Sequence, residues 1–294
     1  MLTDAHCHPY DLARVFPECE RERKRLGVLA AANACSQEEF AYNEELSRLS
    51  AVREAAECEA AAHEAAMILP CFAIHPQQLK KTEEKNELSA ECETHFAALE
   101  DYASQGRIAA VGECGFDLYN SAFRETETIQ EKIFAAHLEI ALRYSLPVVI
   151  HARRAMHKIF AAAKTLAKCR TVIFHSWPGT LEEGNALLRR GVNAYFSFGN
   201  VILKDHKQAI RSCALFPAER LLTETDAPYQ PARGQNFSHW EDLPLIIEAA
   251  AAVRGKFSRK ESLEAENGGS GCQELEAQIE ANFRAAFCLS LNKS

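Results

Sequence analysis

The feature that most constrains the fold of this chain is a regular alternation of short apolar runs with longer helix-patterned segments. The longer segments, such as "TIQEKIFAAHLEIALRYS" at 128–145, place apolar residues at three- and four-residue steps, as amphipathic helices do. Eight of the apolar runs have the length of a buried strand. The predicted strands are Leu2–Cys7, Leu26–Asn33, Met67–Ile74, Arg107–Glu113, Leu146–His151, Thr171–His175, Val192–Phe198 and Arg220–Asp226.

Strands that alternate with helices predict parallel βαβ units. Eight such units in 294 residues are typical of a TIM (β/α)8 barrel, so we expect residues 1–294 to form a single barrel domain. A doubly wound parallel sheet is the competing fold, but it usually carries a glycine-rich turn after a strand, and this sequence has none. The composition, 47% hydrophobic and 25% charged, is ordinary for a globular protein.

Two segments are additions to the barrel pattern. Residues 36–66 are rich in Ala and Glu, which are strong helix formers, and we expect an inserted long helix or helical pair there. Residues 258–272 are polar and contain "NGGSG", so we expect a flexible surface loop. Neither segment is expected to carry chemistry.

Composition also indicates the cellular compartment of the protein and the kinds of partner it can bind. No apolar stretch is long enough to span a membrane, and polar residues stand where the apolar region of a signal peptide would lie. The 11 cysteines form no C-x-x-C pair, and many lie in apolar runs, so we expect reduced thiols and a cytoplasmic protein without a membrane partner. The net charge of −8 argues against a broad basic surface for nucleic acid. A small phosphate site whose positive charge comes from metal ions is still compatible with it.

Metal-capable side chains stand at the ends of five predicted strands. Each of them alone is more often a satisfied polar residue than a ligand. In a barrel, however, they meet at the carboxyl-terminal mouth, where enzymes of this fold gather their catalytic residues. The predicted ligands are His6, His8, Glu113, His151, His175 and Asp226.

Six donors are too many for one tetrahedral zinc ion that keeps a position open. We therefore expect two divalent ions that share the carboxylate of Glu113, because strand four lies between the two groups of ligands. His6, His8 and Asp226 come from the neighbouring strands one and eight, whereas His151 and His175 come from strands five and six. Two ions at such a spacing can clamp both oxygens of an in-line phosphoryl displacement.

These segments resemble the TatD family of metal-dependent deoxyribonucleases, which belongs to the wider group of amidohydrolase-like barrels. The resemblance covers nearly the whole chain apart from the two added segments. It implies a two-metal site with the same six ligands, and Mg²⁺ or Mn²⁺ as the supporting ion, whereas the donors alone also admit zinc. The chain departs from the family at Cys114, at Phe116, at Gln77 and in the loop "HSWPG". The resemblance rests on "DAHCH" (4–8), "AIHP" (73–76), "VGECGFD" (111–117), "LPVVIHAR" (146–153), "FHSWPGT" (174–180), "ETDAPY" (224–229) and "NFRAAF" (282–287).

Four further residues are expected around the metals. Arg153 matches the H-x-R of the family, and its guanidinium suits a phosphate oxygen. His75 ends strand three and is expected to contact the substrate phosphate or the outer shell of the site. Glu224 and Asp4 should lie one layer below Asp226 and His6 on the same strand faces, where an acid can orient a ligand.

Other candidates are left open. Asp117 and Tyr119 follow the bridging glutamate in a loop, where they either touch the substrate or shape the turn. Trp177, and less so Trp240, either offer a base-stacking surface or pack beneath a loop.

The strand-end residues, together with the family resemblance, thus predict a metal-dependent hydrolase of DNA phosphodiester bonds, in which Asp226 and Glu113 act on a water activated by two Mg, Mn or Zn ions. The expected substrate is a strand end, a nick or a damaged site, cut as a 3′-5′ exonuclease or a repair-type endonuclease, without an organic cofactor. One alternative is a two-metal barrel hydrolase of a small amide, lactone or phosphoester. A second is a partner-binding scaffold that uses the 36–66 segment and retains the metal site.

Overall fold

A computed structural model of the chain describes residues 1–54, 67–79, 89–261 and 270–289. Within these ranges eight parallel strands form one sheet in chain order. The backbone of the first strand also bonds to the segment after the eighth, since the amide of Asp226 donates to the carbonyl of His6 at 2.9 Å. The predicted TIM (β/α)8 barrel is confirmed. The strands are β1 (Thr3–Cys7), β2 (Leu29–Ala34), β3 (Ile68–Phe72), β4 (Ala110–Asp117), β5 (Val148–Arg153), β6 (Val172–Phe174), β7 (Ala194–Phe198) and β8 (Leu221–Thr223).

The helices lie between the strands and surround them, as the alternation predicts. None of the described helices combines the length and apolarity that a membrane crossing requires. They are α1 (Pro9–Val15), α2 (Cys19–Leu26), α3 (Gln37–Glu54), α4 (Ala90–Ser104), α5 (Ser121–Glu125), α6 (Glu127–Arg143), α7 (Met156–Leu166), α8 (Leu181–Arg189), α9 (Lys207–Leu215), α10 (Asp242–Glu261) and α11 (Ser270–Ala286).

Both added segments contain regular helix in the parts that the structure describes. Within 36–66, α3 runs as a single helix of 18 residues to Glu54, and residues 55–66 lie outside the described ranges. The loop predicted at 258–272 extends too far at both ends, because residues up to Glu261 belong to α10 and residues from Ser270 onward belong to α11. The Arg, Lys and Glu residues at the start of that segment are good helix formers, which explains the extension. Residues 262–269 lie outside the described ranges.

Strand ends differ from the prediction where the backbone turns. β6 and β8 stop before His175 and Asp226, since Ser176 and Asp226 have φ of 41° and 55°, in the left-handed region that a strand cannot contain. β4 instead runs on to Asp117, four residues past Glu113. Both differences lie at the carboxyl-terminal ends of the strands.

The amino-terminal end of the barrel is closed by apolar side chains. Leu29, Leu69 and Ile173 pack there with Phe283 of α11 and with Phe287, which directly follows α11. A second apolar layer fills the space between the strands and the surrounding helices. Apolar packing thus closes one end of the barrel, and the carboxyl-terminal mouth is the end that polar side chains occupy.

Candidate metal centre

The six predicted ligands gather at the carboxyl-terminal mouth of the barrel. A cavity of about 710 Å³ opens there, and all of them except the fully buried His6 line it. His6 belongs to β1 and His8 directly follows it, Glu113 and His151 lie within β4 and β5, and the remaining two lie just past β6 and β8. Residues separated by up to 220 positions are thus brought together by strand order alone.

Glu113 lies at the centre of this group. Its Oε2 is 3.2 Å from Nε2 of His6 and 3.8 Å from Nε2 of His8. Its Oε1 is 2.7 Å from Nδ1 of His151 and 3.7 Å from Nε2 of His175. The two carboxylate oxygens therefore face different histidines, which is the arrangement that a bridging ligand requires.

Asp226 faces the same space from the opposite side. Its Oδ1 is 3.5 Å from Nε2 of His6 and 3.6 Å from Nε2 of His8. Its Oδ2 is 3.9 Å from Nε2 of His175 and accepts a hydrogen bond from Nε2 of Gln230 at 2.7 Å. The amide of Gln230 thus fixes the rotation of a carboxylate that is only 7% exposed.

The donor atoms at the mouth divide into three compact groups, each with its donors within 4.8 Å of one another. This division differs from the expected one, because His175 joins His6 and Asp226 while His151 joins His75. Nε2 of His75 is 3.4 Å from Oε1 of Glu113, so His75 lies among the donors as well as at the cavity wall. The groups at the mouth are His6, His8 and Glu113; His6, His175 and Asp226; and His75, Glu113 and His151.

The electrostatics of the mouth depend on its ion pairs. Burial would raise the pKa of Glu113, but the surrounding imidazoles hold it well below its usual range. The pKa of Asp226 is likewise lowered to about 2, against its burial and mainly by His175. Burial opposes a charge on His175 too, yet Glu224, Asp226 and Glu113 together raise its pKa to about 10. Both central acids are therefore anionic at neutral pH.

The donor set fits divalent cations. Nε2 of His6 and Nε2 of His8 face each other at 3.1 Å, with two carboxylates alongside. Imidazole nitrogens and carboxylate oxygens that converge on one buried point are the donors that zinc, manganese and related ions take. A cation would also offset the free-energy cost of burying so many polar groups in one place.

Two buried acids hold the rings of the outer histidines. Oε1 of Glu224 is 2.9 Å from Nδ1 of His175, and it also accepts from the amide of Ser176. Oδ2 of Asp117 is 3.1 Å from Nε2 of His151. The sequence alone does not decide whether Asp117 touches the substrate or shapes a turn. A signal was present, however, because Asp117 and Glu113 are four residues apart, and an extended β4 places them on one face.

Asp4 makes a different contact from the one expected. Its carboxylate accepts from the backbone amides of His6 and Thr225 and from the hydroxyl of Thr225, so it holds β1 to the segment after β8 and contacts no ring. The pairing of β1 with β2 is irregular between Asp4 and Cys7, which breaks the strand alternation behind the prediction. Ala5 packs with the barrel interior instead.

The remaining candidates divide between the cavity and the core. Arg153 is exposed and lines the cavity. Trp177, at 3% exposure, packs against Phe174 and Phe196, and Trp240 is fully buried. The base-stacking interpretation of both tryptophans is therefore wrong, and the packing alternative holds.

Comparisons with known proteins point to one family. The family model described as "TatD related DNase" matches residues 3–288. The 3′-5′ ssDNA/RNA exonuclease TatD of Klebsiella pneumoniae is 31% identical over 207 residues, which cover 66% of this chain and 71% of that protein. The protein of the same name from Escherichia fergusonii is 32% identical over 170 residues, but the chain spans only 63% of its length.

Solved structures show the same fold. The TatD homologue YJJV of Escherichia coli aligns with a TM-score of 0.71 and 23% identity, over 98% of both chains. A TatD-family hydrolase from Entamoeba histolytica aligns with a TM-score of 0.67 and 15% identity, over 96% of both chains.

Proposed function

This chain belongs to the family of TatD-related DNases, and from that premise we propose that it hydrolyses phosphodiester bonds of DNA with the help of divalent metal ions. The observation that carries the proposal is the central position of Glu113, whose two oxygens face different histidines at the mouth of an open cavity. The names of the relatives favour 3′-5′ cleavage from the end of a single strand. A nick or a damaged site is the other kind of substrate that the sequence predicts.

We propose two ions, Mg, Mn or Zn, that share Glu113. His6, His8 and Asp226 would hold one ion, and His151 and His175 the other, with His75 close enough to contribute. When bound, such ions activate water as Lewis acids and neutralise charge on the phosphoryl oxygens. His175 lies within reach of both groups, since its Nε2 is 3.7 Å from Oε1 of Glu113 and 3.9 Å from Oδ2 of Asp226.

The residues of the chain supply orientation and proton transfer. Asp226, anionic and fixed by Gln230, would orient the attacking water and accept its proton. Arg153 would bind a non-bridging phosphate oxygen, because its guanidinium is exposed at the cavity wall. Glu224 would orient the ring of His175 towards Glu113, and Asp117 would do the same for the ring of His151.

A small ester or amide is the second candidate substrate, since a cavity of about 710 Å³ also falls within the size range of small-molecule sites. The partner-binding scaffold and the cytoplasmic location stay predictions. The ten described cysteines are free thiols, which agrees with a reducing compartment.

The test compares metal-reconstituted protein with Asp226→Ala and with the exposed control Asp101→Asn. Each protein is given single-stranded, nicked and abasic DNA and a small phosphodiester. We expect wild type and the control to cut DNA and Asp226→Ala to be inactive. Turnover of the small substrate alone would exclude the nuclease, and no turnover with any metal would favour the scaffold.

A further inference from the structure

Three arginines surround one tyrosine beside the cavity at the mouth, and one of them, Arg153, lines that cavity. Cζ of Arg153 lies 3.7 Å and Cζ of Arg154 lies 4.6 Å from the centroid of the Tyr119 ring. Nη1 of Arg154 and Nη1 of Arg124 both donate to the carbonyl of Tyr119 at 3.3 Å. We call Arg124, Arg153, Arg154 and Tyr119 the Tyr119 arginine cluster.

Among the described residues, no ion pair compensates the positive charge of this cluster. Elsewhere in the structure Arg23, Arg107 and Arg211 each pair with a glutamate within 2.8 Å. In the ranges that the structure describes, by contrast, neither Arg124 nor its two companions forms an ion pair with a carboxylate. All three are exposed, and the ring of Tyr119 is 42% exposed. Three like charges held together in a chain of net charge −8 form a local attractive potential for an anion.

The backbone holds the cluster in place. Arg154 has φ of 55°, in the left-handed region that few residues with a side chain adopt. The loop of Tyr119 is tied to the metal centre by Asp117, which accepts from the amide of Tyr119 at 2.9 Å and faces His151 at 3.1 Å. The cluster therefore keeps a fixed position beside the ligands of β4 and β5.

The opposite side of the cavity carries the opposite charge. Asp11 and Glu39, which follow β1 and β2, line the cavity there, and Asp11 accepts from the hydroxyl of Tyr229. A phosphate chain that leaves the metal centre is repelled on that side and attracted on the side of β4 and β5.

We propose that the Tyr119 arginine cluster is a subsite for the phosphodiester group next to the one that is cleaved. A single nucleic acid strand would then leave the metal centre across the ends of β4 and β5. Arg124 and Arg154 bind the neighbouring phosphate, Arg153 stands between that phosphate and the reacting one, and Tyr119 is a positioning residue. The inference rests on the proposed function, because it assumes a polynucleotide substrate.

The first measurement is binding without cleavage. Arg124→Gln/Arg154→Gln is titrated with a fluorescent single-stranded oligonucleotide in excess chelator at several salt concentrations. The matched control is Arg170→Gln/Arg189→Gln, which removes two exposed charges near the opposite end of the barrel. We expect the cluster variant to bind about tenfold more weakly, with a salt slope shallower by about 1.4, and the control to bind as wild type does.

The second measurement is selectivity. With metal present, the ratio of kcat/KM for the oligonucleotide to kcat/KM for a small phosphodiester should fall about tenfold in the cluster variant, since only the long substrate reaches the second phosphate site. Tyr119→Phe should keep the ratio and Tyr119→Ala should lower it, because only the ring and the carbonyl position the arginines. Thermal melts confirm that each variant is folded.

The two proposals fail in different ways. If wild type cuts oligonucleotides but the cluster variant matches its control in binding and in selectivity, the subsite is wrong and the nuclease stands. If wild type turns over the small diester but neither binds nor cuts an oligonucleotide, both proposals are wrong.

Discussion

The two ends of the barrel bury side chains of opposite character. At the amino-terminal end, Phe283 and Phe287 pack against Leu222 and the other apolar strand residues. At the carboxyl-terminal mouth, Glu113 and His6 are just as buried, at 2% and 0% exposure, but are ionisable. Burial of an apolar side chain stabilises the fold, whereas burial of a polar group costs free energy unless a partner compensates it.

This difference separates stability from activity within one fold. The amino-terminal end can hold the barrel together without touching substrate. The mouth keeps its charged groups only because each faces an opposite charge, and a cation would add to that compensation. Substitutions at the mouth should therefore lower mainly activity, whereas substitutions at the amino-terminal end should lower mainly stability. Four experiments test this expectation, and they are given from the largest expected effect to the smallest.

The largest effect is expected for Glu113→Gln. The amide removes the negative charge shared by the histidines, so activity should fall about 1000-fold or more. We expect wild type to show a rise in Tm on adding metal, and this rise should disappear in Glu113→Gln, as followed by calorimetry. Asp101→Asn, an exposed acid, should leave both unchanged. A full metal-induced rise in Tm for Glu113→Gln would contradict the bridging role.

The next effect concerns the closed end. Phe283→Ala should lower the free energy of unfolding by about 3–5 kcal/mol, because it leaves a cavity in a fully buried cluster. Urea titration measures the loss, and kcat well below the unfolding temperature should stay near that of wild type. The control is Leu245→Ala, whose side chain is 51% exposed. A large fall in kcat with little loss of stability would contradict the idea that the amino-terminal end serves stability and the mouth serves activity.

A smaller effect is expected for Glu224→Gln. This change removes the charge that faces Nδ1 of His175 but leaves the proposed ligands in place. Loss of such an outer contact typically weakens metal affinity or activity about 10–100-fold. Metal titration followed by activity measures the shift. If metal affinity and rate are both unchanged, Glu224 stabilises the fold and does not orient His175.

The smallest effect concerns His137, a buried histidine away from the mouth. Its Nε2 accepts from the amide of Ile74 at 3.1 Å, and burial lowers its pKa to about 3. The folded state resists protonation that the unfolded state accepts, so the stability that neutral His137 supplies is present above about pH 6.5 and is lost as the pH falls towards 3. Between pH 7 and 5 we expect a loss of about 2 kcal/mol from this group.

Urea titrations over that pH range check the His137 contribution. His137→Asn keeps an acceptor but does not titrate, so its stability should depend less on pH, whereas the exposed control His157→Asn should behave like wild type. An identical pH dependence for His137→Asn and wild type would mean that the ion pairs at the mouth dominate acid sensitivity.

The sequence determined the barrel and the residues that meet at its mouth. Period and length are local properties, so apolar runs and helix patterns identify the eight strands without tertiary contacts. Because parallel strands in a barrel all end on one face, polar residues at several strand ends, such as His6, Glu113 and His151, had to come together there.

Only the tertiary structure decided how these side chains face one another. The irregular pairing of β1 turned Asp4 away from the rings, and the left-handed turns at Ser176 and Asp226 set the directions of the donors that follow β6 and β8. The contact of Arg124 with the loop of Tyr119 likewise depends on where α5 packs. Side-chain directions depend on bulges, turns and helix placement, which are settled by packing between distant segments and leave no periodic pattern in the sequence.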